Sequence, residues 1–281
     1  MSRFKVLPQY LIPKQGLTRL AGHIASGTGG AYTTSLITWF VNKYGVNMAE
    51  AANPDIVSYT SFNEFFTRPL REGARPLAKA DFICPVDGAI SQFGQIDNGE
   101  IFQAKGHQFS TTALVGGDAE LAAQFKDGSF ANLYLSPKDY HRLHMPCEGR
   151  LTRMIYVPGA LFSVNPTTAR GIPNLFARNE RVVCVFNSAE HGTFVLVLVG
   201  ATIVGSMATA WHGLVNPPRT NAVREWRYDD KKIVLKKGDE MGRFLLGSTI
   251  VMLFKKDTIA FNPAWAPERP VRLGEVMGNK P

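Results

Sequence analysis

Hydrophobic positions follow two different periods along the chain. In the first part, Leu17, Leu20, Ala21 and Ile24 recur at helical spacing, as do Ile37, Phe40, Val41 and Tyr44 with Trp39 beside them. This pattern predicts two short amphipathic helices joined by the Gly27–Gly30 stretch. From Asp81 onward short β-branched runs take over: Gly88–Phe93, Ala131–Leu135, Leu151–Val157, Arg181–Phe186, Phe194–Val204 and Lys232–Leu235. Turn signals at Asn98-Gly99, Gly116-Gly117, Asp127-Gly128, Pro158-Gly159, Pro217-Pro218 and Lys237-Gly238 cut them apart. Repeated short strands with close turns predict an antiparallel barrel or sandwich. The expected fold class is α+β, with N-terminal amphipathic helices (region 1–80) capping a β-rich core (81–281).

One stretch imitates a membrane span. Between Glu190 and Arg219 there is no Asp, Glu, Lys or Arg, and Phe194–Val199 followed by Ile203–Met207 is strongly apolar. Val, Ile and Thr dominate it, Gly200 and Gly205 interrupt it, and no basic cluster flanks it, so buried strands are the better reading. The first fifteen residues carry Pro8 and Pro13 and contain no apolar run of secretory-signal length.

Composition narrows the classes. With 281 residues, 45% hydrophobic and 19% charged, the chain can bury a large core. Its 26 glycines and 17 prolines argue against a helical bundle. The net charge of +8 suits an anionic partner. Residues 1–49 hold Arg3, Lys5, Lys14, Arg19 and Lys43 and no acid; the first is Glu50. The segment reads either as a helical hairpin packed on the core or as a basic, Trp-bearing surface lying in an anionic bilayer. Nucleic acid is not expected, because the bases are sparse and form no Arg-rich stripe. Cys84, Cys147 and Cys184 are far apart and form no C-x-x-C pair, which argues against a disulfide framework or a zinc cage.

Candidate chemistry gathers at three places. In Ser136–Cys147, His141 and His144 stand three residues apart between prolines; metal binding, structural roles and acid/base catalysis are all open to them. No HExxH pattern accompanies them, and no metal is expected. Asp87, in Pro85–Gly88, is a carboxylate at a turn opening a strand, where plain turn chemistry also suffices. Ser248 follows Gly247, but Gly-Ser recurs elsewhere in the chain and no G-x-S-x-G elbow exists. Walker and G-x-G-x-x-G loops are missing too.

Taken together and in order, several blocks resemble the phosphatidylserine decarboxylase family in its membrane-bound bacterial form. They are Ser61–Leu70, Pro85–Gly88, Ala104–His107, Tyr140–Pro146, Leu175–Arg181, Val199–Thr202 and Leu246–Thr249. The last, Leu-Gly-Ser-Thr, matches the family's cleavage motif without departure.

The resemblance implies a proenzyme that cuts itself between Gly247 and Ser248 into chains 1–247 and 248–281, paired as a heterodimer, with higher assembly left open. Ser248 would attack the Gly247 carbonyl, with His144 matching the family's base and Asp87 the carboxylate that orients it. Ser248 would then become a covalent pyruvoyl cofactor. Its Schiff base with phosphatidylserine would release CO2 and leave phosphatidylethanolamine. His141 matches a histidine of the decarboxylation step. The implied partners are phosphatidylserine and anionic membrane lipid, at the cytoplasmic side of the cell membrane as a peripheral protein. Competing readings are a pyruvoyl decarboxylase of a soluble amino acid, a metal hydrolase using His141 and His144, and a non-catalytic membrane adaptor.

Overall fold

The computed structural model describes residues 8–11, 14–104, 106–202, 206–216, 219–245 and 248–281. Leu246 and Gly247 of the expected cleavage motif, the Pro217-Pro218 turn, and the basic residues Arg3 and Lys5 lie outside the described residues.

Two helices occupy the predicted places, Lys14–Ser26 and Ala31–Tyr44, separated by residues 27–30. They use their apolar faces differently. Ile37 and Phe40 of the second are buried with Ala25, Val46, Tyr59, Phe62, Phe65 and Phe66 in one cluster. Leu17, Leu20 and Ile24 of the first, one helical stripe, remain exposed, as does Trp39. The short Phe62–Phe66 helix completes this layer. Ser61 caps it by accepting from the Glu64 amide at 3.1 Å.

Beyond this layer the chain is antiparallel sheet. The largest sheet runs in the order 224–227, 149–157, 181–188, 192–199, 248–254, 129–135, 88–95, 270–271, with 234–235 also paired to 149–157. Its strands read as near-continuous apolar runs because both faces are covered, and the period of two shares each strand between two cores. In Ser248–Phe254, Ile250, Met252 and Phe254 enter one cluster, whereas Val251 and Leu253 enter the other. Leu196 and Leu198 face the first, and Val195, Val197 and Val199 the second. Of the expected run Phe194–Val204, the strand Gly192–Val199 holds the first part and Gly200 closes it, while Ile203 and Val204 lie outside the described residues.

A four-stranded sheet packs over the first cluster, in the order Gly213–Asn216, Met207–Thr209, Glu240–Phe244, Arg142–His144. Short helices, among them Thr111–Leu114 and Leu175–Arg178, cover the second. The fold is therefore α+β, with a β-rich core.

One strand lies in the middle of the large sheet. Ser248–Phe254 is buried along its whole length and paired on both sides, Ser248 opposite Leu135 and Thr249 opposite both Tyr134 and Val199. It is reached from the Glu240–Phe244 strand of the smaller sheet, so the chain makes its crossing from one sheet to the other between Phe244 and Ser248.

Candidate active site

Segment 135–144 holds both ends of that crossing. Leu135 pairs with Ser248, and the His141 carbonyl accepts from the Phe244 amide at 3.0 Å. Between them the chain turns at Ser136–Asp139. The Asp139 carboxylate accepts from the Ser136 amide and hydroxyl, both at 2.7 Å, and Asp139 is followed by Tyr140 and His141 before the Arg142–His144 strand begins. His141 thus stands just ahead of a strand and His144 at its end, rather than on one face of a helix.

His141 is fully buried beside Phe66, ring centroids 4.1 Å apart. Its Nδ1 donates to the Asp139 carbonyl at 2.7 Å, which leaves Nε2 as the unprotonated nitrogen. That nitrogen has no hydrogen-bond partner among the described residues. Burial pushes the ring's pKa down to about 3, so it is neutral at physiological pH.

His144 has the same tautomer for a similar reason. Its Nδ1 donates to the Gly238 carbonyl at 2.8 Å, and its Nε2 accepts from the Tyr140 hydroxyl at 3.1 Å. Burial lowers its pKa, whereas the Gly238 carbonyl, Glu240 and Asp87 act in the opposite direction. Gly238 is at φ +87°, and a Cβ there would meet Leu77 Cδ1 at 2.4 Å, so only glycine presents that carbonyl without strain.

Asp87 opens the Gly88–Gln95 strand and is buried. Its carboxylate is held by Arg75, whose Nε lies 2.9 and 3.2 Å from the two oxygens and whose Nη2 lies 2.6 Å from Oδ2. The Leu273 amide donates to Oδ1 at 2.9 Å. Arg75 Nη2 also reaches Glu50 at 2.6 Å, and this bond holds Glu50 below the usual carboxylate range. The backbone brings His144 close, its amide donating to the Pro85 carbonyl at 2.9 Å. No hydrogen bond joins Asp87 to His144, since both imidazole nitrogens are engaged by Gly238 and Tyr140.

Ser248 is fully buried at the head of the central strand, and its Oγ has no hydrogen-bond partner among the described residues. An unpaired buried hydroxyl costs roughly 1–3 kcal/mol, so its presence here asks for a chemical reason. Neither histidine is hydrogen-bonded to it.

Two cavities adjoin these residues. A polar one of about 1250 Å³ is lined by Glu50, Arg68, Arg75, Asp87, Lys138, Asp139 and Tyr140 among others. An apolar one of about 390 Å³ lies between the helical layer and the sheet, lined by Ile24, Leu36, Trp39, Phe40, Phe62, Phe66 and Leu135 among others. Tyr134 lines both. Among the described residues, no group of three or more His, Cys, Asp or Glu side chains is placed to hold a metal ion.

Sequence reasoning did not reach Arg75, Glu50, Arg68, Tyr140 or Gly238. Arg75 and Glu50 are 12 and 25 residues from their partners, a separation that carries no local pattern. Gly238 was visible only as a turn signal.

Comparison with known proteins gives a consistent result. The family model described as phosphatidylserine decarboxylase matches residues 62–279, and a second model described as PSD matches residues 4–45. The chain is 74% identical over 277 residues to the phosphatidylserine decarboxylase proenzyme of Dechloromonas aromatica (strain RCB), covering 99% of this chain and 98% of that protein. The protein of the same name from Albidiferax ferrireducens is 71% identical over 279 residues, covering 99% and 98%. That from Herminiimonas arsenicoxydans is 72% identical over 276 residues, covering 98% and 94%.

Proposed function

Because the chain belongs to the phosphatidylserine decarboxylase family, we propose that it cuts itself between Gly247 and Ser248 and then decarboxylates phosphatidylserine with a pyruvoyl group made from Ser248. The carrying observation is the buried Ser248 hydroxyl, without a hydrogen-bond partner among the described residues, at the head of the central strand and immediately after the glycine of the motif.

In this reading Ser248 Oγ attacks the Gly247 carbonyl carbon. The C–O bond forms as the C–N bond breaks, and the hydroxyl proton passes by way of a base to the departing nitrogen. Elimination of the Gly247 carboxylate from the resulting ester, then loss of ammonia to water, leaves a ketone at the new N-terminus. A pyruvoyl group supplies a carbonyl for the substrate amine and, beside it, a sink for the electron pair left when CO2 departs.

His144 is the proposed base. Its pKa is lowered by burial, so it is neutral at physiological pH, with the lone pair on Nε2 shared with the Tyr140 hydroxyl. Asp87 supports it through its charge rather than through a hydrogen bond, held in place by Arg75. His141, buried beside Phe66, is proposed to handle the carboxylate or the returning proton in decarboxylation. One observation favours a second assignment: among the described residues His141 Nε2 has no hydrogen-bond partner, as Ser248 Oγ has none, which suits it to take the maturation proton. An uncut His141→Ala chain supports that assignment, and a cut but inactive one supports the first.

The substrate is a lipid, and both cavities suit one. The apolar cavity accepts acyl chain, and the polar cavity accepts the charged headgroup. Leu20 and Trp39, 58% and 52% exposed, place apolar surface where a bilayer can take it. Among the described residues no helix is long and apolar enough to cross a membrane, which is compatible with peripheral binding. The two fragments stay paired, since the 248–281 chain contributes the central strand.

Intact mass of the purified protein tests the reading. We expect two chains, 1–247 and 248–281, with a pyruvoyl group heading the second, and covalent capture of phosphatidylserine on that chain by borohydride. Ser248→Ala is expected to stay whole and inactive. A lipid-active preparation containing only the uncut chain would overturn the proposal.

A further inference from the structure

Among the described residues, Arg68 is a buried cation without a direct anion. It is 5% exposed, and among those residues its Nε has no hydrogen-bond partner and its Nη1 reaches only the Phe65 carbonyl at 3.3 Å. The Phe65 ring lies 5.0 Å from the guanidinium carbon. The acids nearest in charge, Asp87 and Glu50, act on Arg68 only across a distance. Asp87 is bound by Arg75, and Glu50 by both Arg75 and Arg272. Burying an unpaired guanidinium costs several kcal/mol, and the described residues supply no direct counter-ion. The missing partner is therefore an anionic ligand group.

Position tells which one. Phe62 and Phe66 on the helix just before Arg68 line the apolar cavity, whereas Arg68 itself lines the polar one. The residue stands where a lipid passes from acyl chain to headgroup, and the group at that junction is the phosphodiester. Charge logic agrees. The substrate carboxylate must leave as neutral CO2, and a guanidinium clamped on it would stabilise the starting state more than the transition state. A phosphodiester keeps its charge throughout, and the planar guanidinium matches its oxygens in pairs.

We propose that Arg68 anchors the phosphodiester of the lipid substrate. The proposal deepens the phosphatidylserine reading and rests on it.

The test uses the mature enzyme with dihexanoyl phosphatidylserine as substrate and dihexanoyl phosphatidylethanolamine as competitor. The competitor carries the phosphodiester but no carboxylate. For Arg68→Met, complete cleavage into chains 1–247 and 248–281, the latter at wild-type mass, reports that folding and maturation are intact. We expect KM to rise by about tenfold or more with kcat changed less than about threefold, and inhibition by the competitor to weaken by the same factor as KM. Arg68→Lys keeps the charge without the paired geometry and should recover part of both losses. A raised KM with unchanged competitor inhibition places Arg68 on the carboxylate and overturns the proposal; unchanged KM and inhibition make it a structural residue and overturn it too. If Arg68→Met does not mature, Arg68→Lys carries the test. Parallel weakening of both constants then supports the anchor, and unchanged constants overturn it. Failure of the mature wild-type enzyme to decarboxylate phosphatidylserine at all would count against the parent reading, independently of Arg68.

Discussion

Replacing Arg75 with methionine isolates the ionic junction behind the candidate base. Arg75 and Asp87 have side chains only 7% and 10% exposed, and three contacts between 2.6 and 3.2 Å join them, with a further 2.6 Å bond to Glu50. Methionine fills much of the volume but leaves Asp87 with the Leu273 amide alone. A buried carboxylate stripped of its cation costs about 3–5 kcal/mol, so Arg75→Met should lose about that much stability at pH 7. Glu50 sets the pH dependence. Its folded pKa lies below the unfolded one because of Arg75, so its contribution is present above about pH 4.3 and is lost as pH falls through the folded value. The gap between the two proteins should therefore narrow in acid. Urea unfolding of both in a Ser248→Ala background, where the chain stays whole, gives the measurement. Adding Asp87→Asn should return roughly 0.5–3 kcal/mol, the coupling of a contacting pair. A loss below about 1 kcal/mol at pH 7, or no recovery with Asp87→Asn, would refute the reasoning.

Two other parts of the molecule give further expected outcomes. His141 has its pKa pushed down to about 3 by burial, against about 6.5 in the unfolded chain. The unfolded state thus takes up the proton first, and stability should fall as pH drops from about 6.5 toward 3. His141→Phe should flatten that slope in urea unfolding across the range, and an unchanged slope would count against neutral burial. Leu20→Asp with Ile24→Asp places charge on the exposed stripe of the Lys14–Ser26 helix. Co-sedimentation with anionic liposomes should drop by about tenfold or more while cleavage into the two chains stays complete, and undiminished binding would place the membrane contact elsewhere.

The legible part of the fold was the part written in periodic apolar residues. Val195 to Val199 reads as a strand because each neighbour enters one of two cores, and the same fact explains why it imitates a membrane span. The four-stranded sheet was not legible. Arg142–His144 and Met207–Thr209 have three residues each, too few for alternation to show. In the helical layer the spacing located both helices, but nothing in it distinguished Ile37, which is buried, from Leu20, which is not. Ile37 joins the cluster built on the Phe62–Phe66 helix, as Ala25 of the first helix does, whereas Leu20 lies on a face outside that cluster. At the candidate site, motif order pointed to Asp87, His141, His144 and Ser248. Their partners came only from the fold: Arg75 with Asp87, the Gly238 carbonyl with His144, the Asp139 carbonyl with His141. A backbone carbonyl has no sequence signature.

The passage of the chain from one sheet to the other between Phe244 and Ser248 has a consequence for the life of the molecule. If the chain is cut there, the 248–281 piece keeps the middle strand of the large sheet, flanked by 192–199 and 129–135 of the other piece. It also keeps the 276–279 strand, which lies between 82–83 and 260–261. Neither piece can leave without opening the core, so native mature protein holds together through its unfolding barrier rather than through an exchangeable interface. Once unfolded, though, the two pieces must find each other in solution, and recovery becomes second order in concentration where the uncut chain refolds alone. Self-cleavage would thus convert a reversible folder into a protein that has one good opportunity to fold, taken before the bond is broken.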